Sequence, residues 1–257
     1  MPAYRGFLAP RALLLCVLLC CVSVTAKGQV LGSGPAFEGT VDHILMNVDR
    51  VKDVTSRLER SIVPLKSTLK LSPGQIEGIH NLKDGVATVV RCGKSNLLLF
   101  PSFIAQGAYS IKVQYNQKEW AEVKVLGQMG DIPLAVGVVA GKAAASLRPL
   151  PLSIAEPDES PGLAMSGVGT PGFQVLSRVH FVGTPLPPLQ DYRITDIRSA
   201  AGLPMLSVDL KVRGIPFRPW FKEGQTLAVT AKTLAVFCAG DKATVPIKKP
   251  SLEINPR

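Results

Sequence analysis

Histidine and tryptophan are scarce in this 257-residue chain: His43, His80 and His180 are its only histidines, and it has two tryptophans. No two histidines stand at metal-ligand spacing from each other or from Cys92 or Cys238, so no metal site is expected. A G-x-S-x-G elbow, which would present a nucleophilic serine on a sharp turn, is also lacking. No N-x-[ST] acceptor occurs, and no internal repeat is visible at a fixed period. Gly93-Lys94-Ser95 copies the end of a phosphate-binding loop, but Thr88 stands where that motif needs its first glycine, and a hairpin turn is the expected use.

Long apolar runs are confined to the N-terminus. Arg5 and Arg11, with no acid, precede an unbroken apolar stretch over 12–24 that closes on Val24-Thr25-Ala26. That is the layout of a cleavable secretory signal over residues 1–26. The run is short for a bilayer, which needs about 20 apolar residues. Leu19 before Cys20, and Cys20 before Cys21, exclude a lipoprotein signal, which needs a small residue before its cysteine. A secreted or extracytoplasmic location follows (periplasmic in a bacterium), with no membrane span in the mature chain. The stretch 132–147 is interrupted by Lys142 and is too short for a second span.

Of five cysteines, three leave with the signal, and Cys92 and Cys238 remain. In an oxidising compartment an even pair predicts one disulfide. Closing so long a loop is worth on the order of 5 kcal/mol in the chain-entropy model. It also removes both thiols as nucleophiles.

The formal charge of +10 falls to +8 without the signal. Basic residues such as Lys112, Lys118, Lys124, Arg193, Arg198 and Lys211 are spaced as on solvated strand faces. The balance suits an acidic surface or polyanion as well as a protein partner, while export argues against nucleic acid.

The apolar positions 41, 44, 48, 51, 58, 62 and 65, with Thr55 among them, follow a 3-4 spacing. They predict one amphipathic helix over 41–63, capped by Thr40 and stopped by Pro64. Such a stripe serves either a coiled coil that oligomerises the chain or a helix laid on its own sheet. After Pro73-Gly74 short strands take over. Tyr109, Ile111, Val113 and Tyr115 alternate with polar residues, and the polar 116–119 leads into Trp120–Val125, a hairpin. A buried strand and a short helix are expected over 132–147. Leu206, Val208, Leu210 and Val212 alternate as another strand.

The expected class is therefore mainly β with an N-terminal amphipathic helix and one or two β-sandwich-like units. Boundaries fall at 1–26 for the signal, 27–70 for the helical segment and 71–147 for a first β unit. A Pro/Gly-rich linker or long loop follows over 148–172, then a second β unit with an extended tail over 173–257.

With no catalytic, cofactor or metal constellation in view, the sequence predicts a non-enzymatic exported binding or structural protein. It would act through protein surfaces or self-association, oligomerising through the helix at 41–63. Two alternatives stand beside it. One is a secreted hydrolase with a spatial carboxylate pair; Glu122 and Asp209 are the acids set in apolar runs, and both are expected to face outward. The other rests on Arg218-Pro219-Trp220, which is similar to a tripeptide in one loop of chagasin-like cysteine-protease inhibitors and implies an inhibitor presenting residues 218–221. The Asn-Pro-Thr-rich first loop of those inhibitors is lacking, and the family is not assigned. Arg218 and Trp220 are also candidate interface anchors.

Overall fold

A computed structural model describes residues 40–69, 82–155, 158, 160–169, 174–185, 192–196, 202–222, 225–239, 244, 246 and 247. The expected signal segment lies outside these. The expectation of a mainly β chain with an N-terminal helical segment holds.

Two short helices open the described chain, α1 (Val41–Leu45) and α2 (Val48–Leu58). The single long helix expected over 41–63 is broken because Asn47 leaves helical geometry and its side chain accepts hydrogen bonds from the Asp49 and Arg50 amides, starting a second helix. Val41, Ile44, Val54 and Leu58 are buried in the protein's own core, while Val48 is 67% exposed. The coiled-coil reading is therefore corrected: most of the stripe is already covered by this chain. Ile62, counted with the helix, opens a strand, and Pro64 sits inside that strand.

The first sheet contains β1 (Ile62–Leu69), β2 (Leu82–Cys92), β3 (Ser95–Pro101), β4 (Ala108–Gln114), β5 (Trp120–Glu122), β6 (Lys124–Met129) and β7 (Ile132–Val138), in the order β5-β4-β1-β2-β3-β7-β6. The edge strands β5 and β6 are separated in sequence by Val123 alone, so the sheet curls back on itself there. The expected 109–125 hairpin is present, pairing Lys112 with Glu122 and Gln114 with Trp120. Helix α3 (Ser102–Ala105) follows β3, and α4 (Gly141–Ser146) follows β7. Strands β2 and β3 are apolar on both faces. Val89, Leu98 and Phe100 join one core with Ile111 and Val113, while Val90, Leu97 and Leu99 join the core shared with the second sheet.

The second sheet holds β8 (Gly162–Ser166), β9 (Val175–Val179), β10 (Phe181–Gly183), β11 (Arg193–Thr195), β12 (Met205–Leu206), β13 (Val212–Lys222) and β14 (Gln225–Thr230), ordered β10-β11-β14-β13-β12-β8-β9. Its edges β9 and β10 are separated by His180 alone, so it too is curled. Helix α5 (Ala231–Ala239) follows. The strand expected over 206–212 is instead a turn between β12 and β13: Leu210 takes a φ of 59° and its side chain is buried in the shared core. The segment expected as a linker contains β8. Before it, Leu150 exchanges backbone hydrogen bonds with Val89 and Arg91, and Pro151 accepts one from Val212. The described residues belong to one compact unit.

Candidate functional site

Gly202 bridges the two sheets. Its amide donates to the Pro216 carbonyl at 2.8 Å, and its carbonyl accepts the Thr88 hydroxyl at 2.9 Å. A Cβ there would stand 2.4 Å from the Val86 carbonyl oxygen and 2.9 Å from Pro101 Cδ. Its φ of 99° suits glycine as well. Beside this seam α3 carries Phe103, 42% exposed. The side chains described at this corner, Pro101 to Ile104 and Leu203, include no ionisable group.

A larger concavity, a groove of about 670 Å³, is lined from both sheets: Ile62, Pro64, Gln114 and Tyr115 on one side, Met165, Val168, Gly169 and Gln174 on the other. The β4–β5 turn walls it, held by Asn116 Oδ1, which accepts the Lys118 and Glu119 amides at 2.9 and 2.7 Å. Glu119 hydrogen-bonds the Tyr115 hydroxyl and raises its pKa above the usual phenol value. The volume is in the range of ordinary ligand sites, and amide side chains offer both donors and acceptors there.

His43 is exposed on α1, and His80 lies outside the described residues. His180 occupies the corner where β9 turns into β10. Its Nδ1 stands 3.0 Å from Asp196 Oδ2, and its backbone amide donates to Asp196 Oδ1 at 2.7 Å. In the tautomer that donates Nδ1–H to this carboxylate, Nε2 is the acceptor, the orientation a general base requires. Asp196 also satisfies an amide that the corner removes from the ladder. No described hydroxyl is hydrogen-bonded to His180 Nε2.

Cys92 and Cys238 form a disulfide across a separation of 146 residues, tying the β2–β3 hairpin to α5. Gly93, at φ 60°, turns that hairpin. Arg218 lies in β13, paired with Leu227 of β14, and Trp220 is in the same strand. Glu122 is exposed, but Asp209 belongs to the 207–211 turn, where Lys211 Nζ is 2.6 Å from its carboxylate. Among the described residues no group of three or more metal-ligating side chains occurs. No described helix is long and apolar enough to cross a membrane.

No family model matches the chain, and no curated protein matches it. Solved structures do. The HtrA-type protease AlgW, determined with a decapeptide, is 19% identical with a TM-score of 0.52, covering 72% of this chain and 66% of its own. The Rv3671c protease of M. tuberculosis, in its active form, is 18% identical with a TM-score of 0.54, covering 76% of this chain and 86% of its own. The fold is that of these proteases. This chain spans about two thirds of the AlgW chain.

These likenesses overturn the reading of a non-catalytic binding or structural protein and, with it, the expectation that the chain is not an enzyme. That reading rested on the lack of linear motifs. A catalytic constellation can be assembled by folding from distant positions and is recognised by geometry, so a motif search has little power over it. The inhibitor reading needed a presented loop at 218–221, and that segment begins within the β13–β14 ladder. Sequence reasoning missed the His180–Asp196 pair because it depends on the β10–β11 register, for which two separated polar residues give no signal.

Proposed function

We propose that this protein is directed at polypeptides, taking an extended segment into the groove between its two sheets, and that it works outside the cytosol. The observation that carries the reading is the shared fold: both sheets together resemble two proteases, enzymes whose substrates are polypeptides. The groove supports it, with Gln114 and Gln174 offering amide groups to a peptide backbone and Met165 and Val168 offering apolar contact. The leader-like residues 1–26 and the disulfide support an oxidising location.

Cleavage of a bound segment by Ser–His–Asp chemistry must use one of three histidines. His180, which does not itself line the groove, is the one that the described residues supply with an orienting carboxylate, so a segment cleaved there must run on from the groove along β9. The test offers fluorescent denatured casein to the exported protein and follows both binding and fragmentation. Fragmentation that disappears in His180→Ala assigns hydrolysis to that pair, and fragmentation that survives loss of all three histidines excludes Ser–His–Asp chemistry. The absence of both binding and fragmentation in the wild type would overturn the proposal.

A further inference from the structure

Arg213, at the start of β13, is the most enclosed cation of the described ion pairs, its side chain 10% exposed. Nη1 donates to the Ser160 carbonyl at 2.6 Å and Nη2 to the Asp158 carbonyl at 2.9 Å. The guanidinium also pairs with the Asp158 carboxylate and lies 5.5 Å from the centroid of the Phe181 ring. The two partners differ sharply, since the Asp158 side chain is 67% exposed. The cation is thus fixed in the fold, while the anion lies largely in solvent. In front of them is a cavity of about 370 Å³ lined by the hydroxyl-bearing Thr40, Ser153, Ser160 and Ser207.

A largely dehydrated guanidinium is costly to leave without an anion, and its planar fork matches a carboxylate. Release of Asp158 gives up its hydrogen bonds from the Ser160 amide and hydroxyl as well as the Arg213 pair, but its side chain is already mostly in water, which can replace them. Replacement by another carboxylate keeps the buried charge paired. Ordinary surface pairs lack this asymmetry: Arg57 and Asp53 on α2 are 36% and 47% exposed.

We propose that this cavity is a carboxylate-binding site in which Arg213 receives an acidic side chain or C-terminal carboxylate of a polypeptide, with Asp158 as the internal occupant it displaces. The polypeptide source of the carboxylate rests on the function proposed above, whereas the carboxylate site itself does not.

The test uses small probes on the exported protein by titration calorimetry: N-acetyl-glutamate amide for a side-chain carboxylate, N-acetyl-alanine for a C-terminal one, and N-acetyl-glutamine amide as the neutral control. Asp158→Asn removes the competing charge and should tighten binding of a carboxylate probe at least tenfold while leaving the neutral probe unaffected. Arg213→Gln should abolish that binding. The better of the two carboxylate probes identifies the source. Equal affinity in wild type and Asp158→Asn, or equal binding of charged and neutral probes, would overturn the proposal even where Arg213→Gln fails to fold. Binding of small carboxylates without any binding of casein would leave this site standing and remove the polypeptide reading.

Discussion

Thr88 and Gly202, 114 residues apart, are joined by a hydrogen bond of 2.9 Å from a fully buried hydroxyl to a backbone carbonyl. It is a polar contact inside an otherwise apolar seam. Thr88→Val preserves shape and leaves the carbonyl without this donor, a loss worth about 1–3 kcal/mol for a buried group. Urea unfolding measures it, and a change within error would show that the contact does not hold the sheets together.

Gly202→Ala tests the same seam from the steric side. A Cβ 2.4 Å from the Val86 carbonyl oxygen, on a residue at φ 99°, adds backbone strain to overpacking, each worth about 1–3 kcal/mol. The melting temperature should fall further than in Thr88→Val. An unchanged melting temperature would mean that the sheets part easily here.

How far these contacts could be read from the sequence depends on the range of each signal. The 109–125 hairpin was legible because alternation and a polar turn are local. The 3-4 stripe named Val41, Ile44 and Leu58, which are buried, but passed over buried Val54 and included exposed Val48, and it extended the helix through Ile62, because a buried residue at the start of a strand can fall in helical phase. Asn47 with Asp49 behind it was an available helix-start signal inside the stripe. Leu206–Val212 read as a strand because alternation says nothing of a residue at positive φ such as Leu210. The site was hardly legible at all. Asp158 and Arg213 are 55 residues apart, and Asp196 meets His180 only through strand register.

The disulfide should carry a large share of the stability. Reduction, or replacement of Cys92 and Cys238 by Ser, releases a loop closed over 146 residues, for which chain entropy gives up to about 5 kcal/mol. Melting curves with and without reductant measure the loss. Coincident curves, with reduction verified by thiol titration, would contradict it.

Acid should loosen the 207–211 turn. Burial pushes the Asp209 pKa upward, but hydrogen bonds from Lys211 and Ser207 and the Lys211 charge outweigh it, and the net displacement is downward from 3.8. A carboxyl depressed in the folded state stabilises it above the unfolded value and loses that contribution as pH falls through the folded one. Asp209→Asn should therefore reduce stability at neutral pH and flatten its pH dependence below about pH 4. Parallel acid-unfolding curves for variant and wild type would contradict the assignment.

The proposed entry of polypeptide into the groove between the sheets is measured directly by fluorescence anisotropy of labelled denatured casein with the wild type and with Val168→Arg, which places a cation on the groove wall. Saturable binding by the wild type is expected, weakened at least tenfold in a folded Val168→Arg protein. Binding that is absent in the wild type, or equal in the two, would contradict it.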